Sequence, residues 1–113
     1  MAAAPACAES ELEACRRLAP KYAARREVRL WDGTRCDLLS DTHAIEVDWA
    51  KKHYEAVGQA TWYAMVTGRR PAVLLLVRRW EDWRHVLRCF AICYRLGIRV
   101  YIEPSWDREG RSP

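Results

Sequence analysis

The run Glu27-Val-Arg-Leu-Trp-Asp-Gly-Thr-Arg-Cys-Asp-Leu-Leu-Ser-Asp-Thr-His-Ala-Ile-Glu-Val-Asp48 decides the fold. Polar and apolar residues alternate from Glu27 to Trp31, the pattern of a half-buried strand. Asp32-Gly33 is a strong hairpin dipeptide, and a second strand is predicted over Thr34–Leu39. Ser40-Asp-Thr42 supplies another turn, and His43–Val47 a third strand, so this stretch predicts an antiparallel meander.

On either side of the meander the period is helical. Upstream, Glu9–Tyr22 is rich in Ala, Glu, Leu and Arg, with Leu12, Cys15 and Leu18-Ala19 one turn apart. It predicts an amphipathic helix that Pro20 shortens or kinks. Downstream, Trp49–Thr67 predicts a helix closed by Gly68. Ala72–Val77, an apolar run between Pro71 and Arg78-Arg79, predicts a strand covered on both faces. Trp80–Leu96 predicts a second long helix, with Trp83, Leu87, Phe90 and Tyr94 along one stripe and Gly97 at its stop. Ile98–Ile102 predicts a last strand, residues 1–8 a flexible lead and residues 104–113 a polar tail. The order αβββαβαβ predicts an α/β fold with a mixed central sheet, three meander strands plus crossover strands, flanked by helices.

The chain has 113 residues, a length that suits one domain with a modest core. Its longest apolar run is six residues, whereas a membrane span needs about 18. Met1–Cys7 lacks the basic and long apolar regions of a secretory leader. Five cysteines without a Cys-x-x-Cys pair give neither a disulfide framework nor a zinc knuckle. Cys36, Cys89 and Cys93 sit among apolar residues as small buried hydrophobes, and a reducing, cytoplasmic setting is the expectation. His43, His53 and His85 have no metal-ligand spacing, and there is no phosphate-binding Gly loop and no nucleophile–histidine constellation. Six tryptophans in so short a chain are candidates for core or for contact surface.

Charge is unevenly distributed. Glu27 to Glu55 carries seven acids and four bases, and Arg69 to Arg99 eight arginines and two acids. A carboxylate-rich stretch beside an arginine-rich one suits a protein that holds a cation and meets a polyanion.

Within the acidic stretch, Asp37 and Glu46 fall on neighbouring predicted strands joined by a tight turn, where opposite Cβ atoms lie roughly 4.5–5.5 Å apart. Two carboxylates on one face repel unless a cation or proton lies between them, and Mg²⁺ takes such a pair together with carbonyls, waters and phosphates. Both side chains pointing to solvent is the plain alternative. On the next helix, Lys52 and Gln59 superimpose in angle and Tyr63 lies about 40° further round, with Glu55 at the border. This stripe is either a solvated polar face or an ammonium, an amide and a phenol arrayed over the acids. Arg69-Arg70 and Arg78-Arg79 are either solvated rims or phosphate seats.

Asp32-Gly-Thr-Arg-Cys-Asp37, Ala44-Ile-Glu-Val-Asp48, Lys52, Glu55-Ala-Val-Gly-Gln-Ala60 and Tyr63 together resemble the PD-(D/E)XK nuclease superfamily. The likeness is to its RecB-like and Holliday-junction-resolvase-like members, which share the restriction-endonuclease-like core and carry an Asp, an acid-x-Lys and a Gln-x-x-x-Tyr in this order. The resemblance implies that Asp37, Glu46 and the Val47 carbonyl hold Mg²⁺ or Mn²⁺, and that Gln59 and Tyr63 approach the nucleic-acid backbone, with Arg69 and Arg70 beyond them. Glu27 would supply an additional acid, with Glu11 and Glu13 as competitors. The sequence departs from the motif where lysine should follow Glu46 by two positions: Asp48 stands there, as a helix N-cap or a further metal ligand, and Lys52 is the substitute amine. The implied activity is a metal-dependent endonuclease acting on DNA phosphodiesters. Asp48 in place of lysine also suits a catalytically weak relative that binds nucleic acid or a partner protein. The tryptophans and the strand edges of so small a sheet suit a homodimer.

Overall fold

The computed structural model describes residues 8–105. The predicted lead (but for Ala8) and the tail beyond Ser105 lie outside the described residues. In chain order the elements are α1 (Glu11–Leu18), β1 (Arg25–Arg29), β2 (Arg35–Leu39), β3 (His43–Trp49), a 3₁₀ turn (Ala50–Lys52), α2 (His53–Thr67), β4 (Arg70–Val77), a 3₁₀ turn (Trp80–Asp82), α3 (Trp83–Leu96) and β5 (Arg99–Pro104).

The strands form one five-stranded sheet in the order β1-β2-β3-β4-β5. β1, β2 and β3 are the antiparallel meander, and β3, β4 and β5 run parallel. The α/β class, the mixed sheet and the element order therefore follow the sequence-based expectation, while several boundaries shift. α1 covers only Glu11–Leu18 of the predicted Glu9–Tyr22. Ser10 caps its start by accepting the Glu13 N–H at 3.1 Å, and Glu13 returns a bond to the Ser10 N–H. Its end comes before Pro20, which has no N–H to continue the helix. Both long helices are preceded by a 3₁₀ turn, so α2 begins at His53 and not at Trp49. Gly68 and Gly97 end α2 and α3 with φ of 70° and 72°, a left-handed cap that suits glycine.

β4 lies between β3 and β5, and its apolar run is covered on both faces as its composition predicted. Ala72, Leu74 and Leu76 pack with Leu38, Ile45 and Val47 against Ala14, Cys15 and Leu18 of α1. Val73, Leu75 and Val77 face the other way, against Ala56 and Ala60 of α2 and Val86, Cys89 and Cys93 of α3. Both crossover helices thus share one face. Cys36, Cys89 and Cys93 are buried free thiols, as expected of small apolar side chains.

The two ends of the described stretch are tied by a buried carboxylate. Glu9, 1% exposed, accepts from Arg17 Nε and Nη2 at 2.8 Å each and from the Ser105 hydroxyl at 2.9 Å. With its charge paired and its oxygens bonded, burial of Glu9 is tolerated.

The Trp83, Leu87, Phe90 and Tyr94 stripe of α3 exists, but it does not face the sheet. The inward residues are the smaller Val86, Cys89 and Cys93, while Leu87 and Tyr94 are 69% and 85% exposed. Among the described residues no helix is long and apolar enough to cross a membrane.

Because Leu74 is fully buried in the middle of the sheet, Leu74→Ala is expected to cost about 2–5 kcal/mol, read as a loss in chemical-denaturation midpoint.

Candidate functional site

Asp37 and Glu46, the central pair of candidate residues, meet where β2 parts from β3. Their ladder pairs Leu39 with Ala44 and Leu38 with Ile45, then stops. Continued by one step it would set Asp37 opposite Glu46, and by two Cys36 opposite Val47. Instead the Asp37 side chain enters the gap, and its Oδ2 accepts the Val47 N–H at 2.9 Å. A strand residue's N–H and C=O point to the same side, so the Val47 carbonyl also faces β2. β1 is irregular at the same level: Arg26 pairs with Leu38 and Val28 with Cys36, but Glu27 between them has φ 50°, which non-glycine residues rarely adopt.

Asp37 and Glu46 face each other in this gap. Glu46 is only 4% exposed. Burial first, then the Asp37 charge and a hydrogen bond to it, push the Glu46 carboxyl up to about 10. Ionised, its Oε2 is buried with no donor to receive from; protonated, it can hydrogen-bond the Asp37 carboxylate. Asp37 is itself raised by burial, an effect partly offset by the Val47 N–H. At neutral pH this pair therefore shares a proton, the behaviour of two like charges forced together.

A second acidic pair adjoins the first. Asp48 Oδ1 accepts the Trp49 N–H at 2.8 Å, and its carboxyl is raised by burial, with the Lys52 ammonium acting against that rise. Glu11 of α1 hydrogen-bonds Asp48 and is pushed up to about 7, by burial first and then by Asp48 and Asp37. Of the three additional acids considered, Glu11 joins the cluster through Asp48, and Glu27, opposite Asp37 in the β1–β2 register, acts on it through its charge on Asp37. Glu13 is used in the α1 cap, and Glu27 lies 3.8 Å from Arg35 in an ion pair. Asp48 does not cap a helix: the residue before the 3₁₀ turn is Trp49, with no side-chain cap.

The polar stripe is brought together only in part. Lys52 ends the 3₁₀ turn with φ −103°, so it is off the α2 spiral on which it would superimpose with Gln59. It is exposed, and its charge acts on Glu11 and Asp48. Gln59 is exposed on α2. Tyr63 packs on Cys36, Leu39 and Ala44, and burial followed by the Glu46 and Asp37 charges raises its phenol to about 12. Trp62, from the same helix, donates to Asp32 Oδ2 at 2.8 Å and ties the β1–β2 turn to α2.

Arg69 and Arg70 stand at the other end of β4 from Arg78 and Arg79. Arg70 begins β4 beside His43, the first residue of β3, with Glu46 three and Asp48 five residues further along. At roughly 3.3 Å per strand residue that is about 10 Å to Glu46 and about 16 Å to Asp48. Arg78-Arg79 follows β4, three positions past Leu75, the partner of Asp48. With Trp49, Lys51 and Asp82 these arginines line a cavity of about 200 Å³. The Arg78 guanidinium lies 4.1 Å from the Trp49 ring, donates to the Glu9 carbonyl, and has its Nε buried without a partner. The signal that separates the two pairs is strand direction, since parallel sheets bind ligands beyond their carboxyl ends.

Among the described residues no three His, Cys, Asp or Glu side chains are grouped to hold a metal ion. Mg²⁺ asks for less, one or two carboxylates with waters and substrate phosphates. Asp37 and Glu46, with an unsatisfied buried oxygen and a carbonyl facing the same gap, fit that smaller requirement.

The raised carboxyls set the pH dependence of stability. Glu46 moves from an ordinary 4.5 to about 10 and Glu11 from 4.5 to about 7, so the folded chain holds protons that the unfolded chain releases. On this account the contribution is whole at and below about pH 4.5 and is lost as pH rises through about 7 and toward 10. Glu46→Gln should flatten that fall and raise stability at pH 8 by on the order of 1 kcal/mol, about 4–8 °C in Tm. Thermal melts across pH 5–9 check it.

No family model, curated protein or solved structure matches the chain, so the functional reading rests on the geometry of this site.

Proposed function

We propose that this chain is a metal-dependent phosphodiesterase of the endonuclease type, acting on DNA, with Asp37 and Glu46 as the carboxylates for Mg²⁺ or Mn²⁺ and a restriction-endonuclease-like core around them. One observation carries the reading: two acids are held face to face in a break of the sheet, where they repel and where Glu46 has no donor of its own. A fold under selection for stability alone would place apolar residues there, because an unpaired buried charge is costly. The Val47 carbonyl faces the same gap, and Asp48 and Glu11 extend the acidic wall toward α1.

A divalent ion supplies Lewis-acid polarisation of a phosphoryl oxygen and charge neutralisation at the scissile phosphate. The chain's own groups do the rest. Tyr63 stays a protonated phenol through neutral pH and can donate to a phosphate oxygen. Lys52 provides an exposed ammonium beside Asp48, positioned to balance the charge of a phosphodiester. Gln59, exposed one turn before Tyr63, offers an amide to the nucleic-acid backbone. Lys51, Arg78 and Arg79 form the cationic seat for a neighbouring phosphate, the role first assigned to Arg69 and Arg70.

One observation favours a second reading, a nuclease-fold module that binds nucleic acid without efficient turnover. The Lys52 charge acts on Glu11 and Asp48, whereas burial and the neighbouring carboxylates dominate at Glu46, and burial and the Val47 N–H at Asp37.

Two measurements separate these readings. Mg²⁺ at pH 8 should raise the Tm of the wild-type chain and not that of Asp37→Asn, which reports ion binding without any turnover. Plasmid or branched DNA should be cleaved with Mg²⁺ or Mn²⁺, and Asp37→Asn or Glu46→Gln should lower the rate by at least about 100-fold. Cleavage that persists in both variants overturns the assignment. Salt-sensitive DNA binding without cleavage selects the second reading, and in either case Arg79→Ala should weaken binding more than Arg70→Ala.

A further inference from the structure

We propose that the chain forms a two-fold symmetric dimer in which the free edge of β5 pairs antiparallel with the β5 edge of a second copy, while the apolar flanks of the two α3 helices pack across the axis. The proposal stands apart from the hydrolytic reading and uses none of its residues.

The first observation is the outward stripe on α3. Trp80, Trp83, Leu87, Phe90 and Tyr94 follow a three-four spacing and are all exposed, with Trp80 at 78%. At 100° per residue this stripe lies roughly 100° round the helix from the buried Val86, Cys89 and Cys93 and roughly opposite His85. His85 stacks toward His53 of α2, with ring centroids 5.9 Å apart. The stripe therefore looks away from α2, toward the side on which the sheet ends. Arg84, Arg88 and Arg95 lie further round, on the solvent side, so cations do not interrupt the apolar flank.

The second observation is the edge itself. β5 is the last strand of the sheet, and among the described residues its outer side has no partner. Ser105 N–H bonds the Val77 carbonyl of β4, so by alternation Glu103 and Tyr101 also point their backbone groups at β4. Val100 and Ile102 point theirs outward. The opposite edge strand is blunted: β1 carries Arg25, Arg26 and Arg29, and the left-handed Glu27 interrupts it. β5 has Pro104 at its end but leaves Arg99-Val-Tyr-Ile-Glu103 open.

That segment is complementary to itself. With a two-fold axis at Tyr101, Val100 faces Ile102 of the second copy, and both residues have the outward N–H and C=O that an antiparallel hydrogen-bonded pair needs. In the same register Arg99 falls opposite Glu103 of the second copy, whose buried carboxylate is already held by Lys21 and Tyr22, so the pairing rests on the backbone and on Val100 and Ile102. The axis is perpendicular to the sheet, so the two α3 helices fall on one face. As each α3 bridges β4 and β5, their axes come about two strand spacings apart, roughly 10 Å, which is a packed-helix distance. An antiparallel α3 pair then sets Leu87 against Phe90 and Trp83 against Tyr94. The stripe exposes on the order of 600 Å² per copy. With the strand edge added, that is in the range of the ~800 Å² per partner of a stable interface.

Light scattering and sedimentation of the full chain are expected to show a dimer at about 50 µM. Leu87→Asp should weaken it by about 100-fold. Ile102→Pro, which removes an outward donor and no β4 bond, should weaken it by about 10-fold. Circular dichroism reports that both variants remain folded. Hydrogen exchange provides an arm without substitutions: the Val100 and Ile102 amides should slow with rising concentration. Trp31→Ser, on an exposed tryptophan of the β1–β2 turn, should leave association unchanged. A monomer at that concentration, a dimer indifferent to Leu87→Asp and Ile102→Pro, or a dimer broken by Trp31→Ser overturns the proposal.

Discussion

The bond from the Val47 N–H to the Asp37 carboxylate governs the acidic end of the molecule. In a regular ladder that N–H would meet a backbone carbonyl of β2. By taking the carbonyl's place, Asp37 satisfies the Val47 amide and holds β2 away from β3. The gap then has room for Glu46, and for Glu11 to reach Asp48 from α1. A carboxylate is well suited to the task because it accepts a strong backbone hydrogen bond and can still accept from a protonated Glu46. The same substitution makes the region electrostatically uncomfortable, since burial and mutual repulsion raise Asp37, Glu46, Asp48 and Glu11 together.

Stability for that cluster comes from elsewhere. β4 is buried on both faces, α1 on one side and α2 with α3 on the other, so the strand beside the acids is firmly placed. Glu9, Arg17 and Ser105 join the two ends of the described chain in a satisfied buried network. Arg78 adds a further tie, spanning from Trp49 to the Glu9 carbonyl. The acidic gap is thus a local unfavourable arrangement carried by a well-packed surround, a distribution often found where a site is prepared for a ligand.

The two outer features of α3 and β5 have a different origin. α3 packs through Val86, Cys89 and Cys93 because small side chains let the helix sit close to the sheet. Its large residues are left on the flank, where the sheet also ends in a strand with two outward backbone groups. The proposed second copy would cover both the apolar flank and the strand edge, which lie on the same side of the described residues.

Much of this was determined by sequence. The two-residue period from Glu27, the Asp32-Gly33 turn, the change to a helical period after β3 and the stops at Gly68 and Gly97 all report local backbone preferences, which act within a few residues and survive into the fold. The neighbourhood of Asp37 and Glu46 was legible for the same reason, because a tight turn fixes the register of a hairpin. Only the tertiary structure decided which arginines lie past the carboxyl end of the parallel strands, since Arg70 and Arg78 occupy opposite ends of one strand and its direction is set by its partners. It also brought Glu11 from α1 to Asp48, and displaced Lys52 from the α2 spiral by a 3₁₀ turn that no local signal announced. The inward face of α3 was likewise undecided in sequence: apolar residues occupy more than one side of that helix, and the distance to the sheet, a property of the assembled layers, chose the small ones.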